Sequence, residues 1–242
     1  MNSMFTNRTD VHEGARPSSF VPALGHAALT PLYAALSGMT RPTLRRFLRR
    51  TGIEPDMTVL DLGCGTGTLA LLIKQAYPTT RVIGLDVDPA VLEVAREVLA
   101  RAHVDAELHQ GTIETAEFPP RSFDRILTTF VLHHLTTEEK RSMLAACQRL
   151  LRPGGQLHVA DLGPPSTALM KLVSLPLRAL GGERVAANVS GAIPTLMRAA
   201  GFTEVSQVSA SSSVLGTMTH WRATLPAQAD SVRHGDHQGR TR

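Results

Sequence analysis

Between Val59 and Leu72 the chain reads VLDLGCGTGTLALL, and its apolar positions change period partway along. Val59, Leu60 and Leu62 make a short apolar run that ends in glycines at 63, 65 and 67. A helical rhythm then starts near Thr66–Thr68. The pattern predicts a buried strand, a tight turn and a helix start, in that order. Glycine suits the turn because it accepts positive φ and lets a ligand approach the backbone. The first N–H groups of the helix have no partner within it, so they favour a carboxylate or phosphate in the turn.

The same two periods organise the rest. Residues 1–19 are polar and irregular, which predicts disorder, and Val21–Met39, broken by Pro22 and Pro31, reads as short helices. Arg41–Arg50 reads as a helix with Leu44, Phe47 and Leu48 on one face and Arg41, Arg45, Arg46, Arg49 and Arg50 around it, stopped by Gly52. Downstream, strands are expected at Arg81–Asp86, Ala106–Gln110, Phe123–Phe130 and Gln156–Asp161. Helices are expected at Pro89–Ala100 and Thr137–Leu151, and a turn at Pro153-Gly154-Gly155. From Gly163 the alternation breaks, and residues 164–196 read as a helical lid ending in a helix over Thr195–Ala200. Phe202–Val208 and Val214–Thr224 predict a closing antiparallel hairpin (202–224), and 226–242 a solvated, disordered tail.

This β-α-β rhythm predicts an α/β fold. The sheet would be Rossmann-like, doubly wound, mostly parallel and seven-stranded, with an antiparallel last strand. One domain over 20–225, with a ligand-binding core at 56–162, accounts for the length. In such sheets ligands bind at the carboxyl ends of the strands, so the residues just beyond each strand carry the chemistry.

Composition narrows the classes. A net charge of +4, with several arginines in the tail, does not mark a nucleic-acid binder, and 4% aromatic residues leave few rings for stacking bases. Two cysteines, Cys64 and Cys147, offer neither a disulfide framework nor zinc spacing, and read as reduced thiols of a cytoplasmic protein. The N-terminal stretch lacks the apolar run of a signal peptide. No segment reaches about 18 uninterrupted apolar residues; Leu169–Leu180 is interrupted by Lys171, Pro176 and Arg178. The basic face of 41–50 could touch an anionic membrane surface, though a solvated face on a docked helix is the plainer account.

The glycine spacing decides between cofactor classes. A dinucleotide fingerprint needs glycine at the sixth place from Gly63, where Thr68 stands, and no Gly-Lys-Ser/Thr follows to make a P-loop. Asp61-Leu62-Gly63-Cys64-Gly65-Thr66-Gly67 is instead an acid followed by alternating glycines. Asp86 ends the next strand roughly 20 residues on, where an ionised carboxylate can accept from two ribose hydroxyls. Asp88, before Pro89, fills the helix-cap role and leaves Asp86 free.

With VIGLDVDPAVLEVAR, FDRILTTFVLHHL and LLRPGGQLHVADLG, this series over about 56–162 resembles class I S-adenosylmethionine-dependent methyltransferases. It is most similar to the ubiquinone/menaquinone-biosynthesis group and its small-molecule relatives. The resemblance implies S-adenosyl-L-methionine as cofactor and in-line methyl transfer to a small, apolar acceptor. It implies that Asp61, Gly63 and Gly65, within a turn completed by Gly67, hold the methionine end. Asp86 would bind the ribose, Val87 the adenine ring, and Phe130 the methionine side through its backbone. Where relatives commonly carry an acid for the adenine amine, this chain has Thr112, followed by Ile113. His133 and His134 lie where an acceptor could reach them, and at most one can serve as base. Packing or capping explains the pair equally well.

The Asn/Asp-Pro-Pro-aromatic tetrapeptide of DNA- and amine-methylating relatives is replaced by Leu127-Thr128-Thr129-Phe130, which argues against base methylation. Two rivals stay open: an S-adenosylmethionine-binding protein without catalysis, and a nicotinamide oxidoreductase, which the glycine spacing and the lack of a Tyr-x-x-x-Lys pair disfavour. Acceptor atom and oligomeric state are not legible, and no His, Cys or carboxylate cluster has metal-ligand spacing.

Overall fold

The computed structural model describes residues 41–167, 170–171, 182–213 and 216–227. The expectations for 1–40, for 172–181 within the proposed lid and for 228–242 lie outside the described residues.

Helix α1 (41–48) buries Leu44, Phe47 and Leu48 and exposes its arginines, as its periodicity requires. Strand β1 (Thr58–Leu62) follows, then α2 (Thr68–Ala76), β2 (Arg81–Asp86), α3 (Pro89–Arg101) and β3 (Glu107–Gln110). Next come β4 (Phe123–Thr129), a 3-10 turn at Leu132–His134, α4 (Thr137–Leu150) and β5 (Leu151–Leu162). Helix α5 (182–189) and α6 (Ile193–Ala199) precede the hairpin β6 (Thr203–Ser213) and β7 (Gly216–Thr224). The starts are chemically set. Asp88 caps α3 by accepting from Ala90 N, Pro89 occupies its first turn, and Thr136 and Glu139 close a capping box on α4.

One seven-stranded sheet runs β3-β2-β1-β4-β5-β7-β6. The pairs β1–β2, β2–β3, β1–β4 and β4–β5 are parallel, and β7 runs antiparallel to both β5 and β6. The order reverses between β1 and β4, which opens a crevice at their carboxyl ends. One core joins β1, β2, β4 and β5 side chains to α4 and α6 through Met143, Leu144, Cys147 and Met197; the other lies beneath α1 and α2.

The expected turn at 153–155 is instead part of a longer β5. Phe123 pairs Leu151 and Arg125 pairs Gln156, so a bulge absorbs the extra residues. Gly154 N and Gly155 O each bond to Leu225, and Gly154 keeps a positive φ of 78°, so the bend survives as the bulge inside β5. Among the described residues no helix is long and apolar enough to cross a membrane.

Candidate active site

The glycine turn after β1 is shaped by its neighbours as well as by its own freedom. Gly63, Gly65 and Gly67 all have positive φ (73°, 52° and 70°). A Cβ on Gly63 would overlap Val131 Cγ2, and one on Gly67 would lie 3.1 Å from Ala95 Cβ. Those two glycines allow the loop after β4 and helix α3 to close in. Gly65 differs: a Cβ there would meet nothing within 4 Å. It faces open space, as a backbone that cradles a ligand must.

Two carboxylates border this opening. Asp86 Oδ2 accepts from Gly65 N at 2.8 Å, and Asp86 Oδ1 accepts from Asp88 N at 3.0 Å. Burial raises its pKa, opposed by those amides. Asp61, at the end of β1, is 1% exposed, and neither of its oxygens has a hydrogen-bond partner. Burial first, then the charge of Asp86, push its pKa up to about 7; the Ala70 amide pulls weakly the other way without a normal hydrogen bond. A buried carboxyl left in this state is stabilised by any bound cationic group. The residues present therefore fit S-adenosylmethionine, which carries an ammonium and a sulfonium.

The adenine side is less open than the resemblance implies. Thr112 Oγ1 lies 3.3 Å from Thr115 Oγ1 and its amide donates to the same oxygen, so the hydroxyl is engaged in a local turn. Ile113 is 2% exposed with its side chain in the core, which leaves only its backbone for a ligand. Val87 is half-buried just past β2.

Across the crevice, Phe130 leaves β4 with φ 59°, a left-handed conformation unusual for an aromatic residue, and its amide donates to Ala160 O. Such backbone is held only where surroundings over-determine it, often at functional sites. The 3-10 turn then presents two histidines with different environments. His133 Nδ1 lies 2.8 Å from Asp161 Oδ1, with side chains 20% and 2% exposed. Asp161 also accepts from Leu132 N at 2.7 Å and Leu162 N at 2.7 Å, which fixes its orientation. A carboxylate can only accept here, so Nδ1 carries a hydrogen. His134 stacks on His133 with ring centroids 4.0 Å apart and has no such partner. Burial and the His133 ring lower its pKa.

Asp161 is the site residue that sequence reasoning missed. It stands within the quoted LHVADLG, but β4 and β5 must be neighbours before it can be seen beside His133. Lys140, 0% exposed, was equally unforeseen: its Nζ donates to Leu135 O and to Arg184 O (2.8 Å), and burial lowers its pKa to about 8. Among the described residues no group of three or more His, Cys, Asp or Glu converges as a metal site.

A family model described as a methyltransferase domain matches residues 59–155. The chain is 36% identical over 141 residues to the ubiquinone/menaquinone biosynthesis C-methyltransferase UbiE of Pseudomonas fluorescens, covering 56% of this chain and 54% of that protein. It is also 36% identical over 115 residues to the demethylmenaquinone methyltransferase of Thermotoga maritima, covering 48% and 47%. The chain thus spans about half the length of the curated relatives it matches. Among solved structures it resembles Haemonchus contortus phosphoethanolamine N-methyltransferase 2, in complex with phosphomonomethylethanolamine and S-adenosylhomocysteine. That likeness has a TM-score of 0.63 and 16% identity over 76% of this chain and 52% of that one, and it speaks for the fold. Sheet order, glycine turn, the acids after β1 and β2 and the match over 59–155 make the core of this chain similar to a methyltransferase domain, with relatives named for ubiquinone and menaquinone biosynthesis.

Proposed function

We propose that this protein methylates a small, apolar molecule bearing an ionisable hydroxyl, with His133 as general base. The observation that carries the proposal is the His133–Asp161 pair at the carboxyl ends of β4 and β5, beside the crevice that Gly65 leaves open. Bound S-adenosylmethionine supplies a methyl group already activated by its sulfonium. Asp61, Gly63 and Gly65 hold the methionine end, Asp86 the ribose, and Val87, Thr112 and Ile113 border the adenine; Phe130 lines the methionine side through its backbone. His133 takes the acceptor proton at Nε2, and Asp161 stabilises the imidazolium that results. Orientation of the two reactants then supplies most of the acceleration.

The acceptor class rests on the relatives named for ubiquinone and menaquinone biosynthesis. Segment 164–196 is proposed to cover the acceptor as a lid, although Ile193 and Leu196 at its end belong to the main core. A cytoplasmic location suits the two free, buried cysteines, and the exposed arginines of α1 leave a peripheral membrane contact open.

The test has two arms. S-adenosylhomocysteine should raise the melting temperature and NADH should not, because only a ligand of the native state stabilises it. Labelled methyl should then pass from S-adenosylmethionine to a demethylmenaquinol. Binding without turnover on any hydroxylated ring would leave a non-catalytic binding protein, and a shift with NADH alone would point to an oxidoreductase.

A further inference from the structure

Helix α5 bridges the segments that leave β4 and β5. At its start, Arg184 Nη1 donates to His134 O at 3.2 Å, while Lys140 Nζ donates to Arg184 O at 2.8 Å. Just past its end, a Cβ on Gly191 would lie 3.2 Å from Pro164 Cγ, so this turn rests on the chain that follows β5. The helix is therefore anchored beside the 3-10 turn that carries His133 and the chain that follows Asp161.

Its buried face consists of Val185, Asn188 and Val189, at the spacing of one helical stripe. Asn188 follows Arg184 by one turn and so shares the side that meets His134. Asn188 is 0% exposed, and neither its Oδ1 nor its Nδ2 has a hydrogen-bond partner. A buried amide unpaired at both ends is rare in folded proteins and costs stability. Leucine would seal the same face without that cost, so packing alone does not account for asparagine.

We propose that Asn188 recognises the methyl acceptor: its amide pairs with an oxygen substituent of the acceptor ring, next to the position from which His133 takes a proton. This rests on the proposed methyl-transfer reading. The chemistry defines the ligand class. An amide offers one acceptor and two donors, which match a hydroxyl or a carbonyl on a ring and have nothing to pair with on a bare hydrocarbon. A site built this way rejects the analogue that lacks the oxygen, because its own polar group is then left buried and unpaired.

The experiment uses the full chain saturated with S-adenosylhomocysteine and titrates two probes, 1,4-dihydroxynaphthalene and 1,4-dimethylnaphthalene. The parent should prefer the diol at least tenfold. Asn188→Leu should erase that preference, keep the S-adenosylhomocysteine affinity and melt higher than the parent. Asn188→Ser, which keeps a hydroxyl at the position, should retain part of the preference, and it decides the matter if the leucine variant fails to fold. A parent without preference, or a leucine variant that keeps it, overturns the role of Asn188 while S-adenosylhomocysteine still binds. Failure of S-adenosylhomocysteine to bind the parent would instead remove the methyl-transfer reading itself.

Discussion

The amide of Gly65 donates to Asp86 Oδ2 at 2.8 Å, so the acid that ends β2 pins the one glycine of the turn that faces open space. Asp86 thus holds the turn, and in the proposed reading it also offers a carboxylate to the ribose. Asp86→Ala should weaken S-adenosylhomocysteine binding by about 2–3 kcal/mol, the scale of lost hydrogen bonds to a charged acceptor. Isothermal titration measures this directly. Parent-like affinity would reduce Asp86 to a fold residue.

The glycines of the turn should separate by phenotype. Gly63→Ala drives a methyl into Val131 and should lower the melting temperature, whether or not ligand is present. Gly65→Ala meets no protein atom, so its stability loss is limited to the strain of a left-handed residue, about 1 kcal/mol. Its main effect should be lost cofactor binding. Equal binding losses at equal stability in both variants would contradict this division.

Asp61 makes cofactor affinity depend on pH. Its folded pKa of about 7 lies above the unfolded value, so the folded chain holds a proton there between roughly pH 4 and 7 that the unfolded chain has released. That contribution to stability is complete below pH 4 and is lost as pH rises through 7. A cationic ligand wants the opposite state, so S-adenosylmethionine affinity should rise as pH climbs from 6 to 8. Asp61→Asn should flatten the rise and raise the ligand-free melting temperature at pH 8. A flat profile in the parent would mean that Asp61 does not sense the ligand charge.

Much of this site was legible because strand ends and glycine turns leave local signatures. Asp61, Gly65 and Asp86 sit where a period change in the sequence places them, and β2 begins and ends at the expected residues. What was hidden is what only tertiary neighbours create. The spacing of His133 and His134 does not tell the pair apart; Asp161, on β5, pairs with the His133 ring. Gly63 and Gly67 read like Gly65 in sequence, yet Val131 and Ala95 fill the space beside them. The glycines at 154 and 155 signal a turn, and the bend is there in the positive φ of Gly154, but pairing with Leu225 takes it into β5 as a bulge.

His133→Ala should lower methyl transfer by roughly 10²–10⁴-fold, the usual contribution of a general base, with cofactor affinity unchanged. Asp161→Asn should shift the pH–rate profile, since the carboxylate that stabilises the imidazolium is gone. His134→Ala should do neither. If His134→Ala is the slower enzyme, the assignment of the base is reversed.

A second histidine pair should set the acid limit of stability. His158 (0% exposed) and His220 (4%) lie beneath α1, with His158 Nδ1 3.0 Å from His220 Nε2 and His158 Nε2 3.2 Å from Gln156 Oε1. The Phe47 ring covers His220 at 4.6 Å between centroids. If Gln156 Oε1 accepts from His158 Nε2, then His158 Nδ1 must accept from His220 Nε2, and both rings are neutral. A further proton has no place between them. Burial lowers both pKa values, His220 to about 4, and Arg50, Arg125 and Arg222 add to the effect. The unfolded chain takes up these protons near pH 6.5 and the folded chain does not, so the pair's contribution is complete above that value and is lost as pH falls towards 4. Two protons correspond to a slope of about 2.7 kcal/mol per pH unit in that window; Asp61 opposes it, while His134, lowered likewise, adds a contribution of the same sign as the pair. Urea unfolding between pH 7 and 5 should show a net fall in stability, and the double variant His158→Leu/His220→Leu should make that fall much shallower. A parent whose stability is unchanged down to pH 5 would place the titrating groups elsewhere and leave this pair as ordinary core.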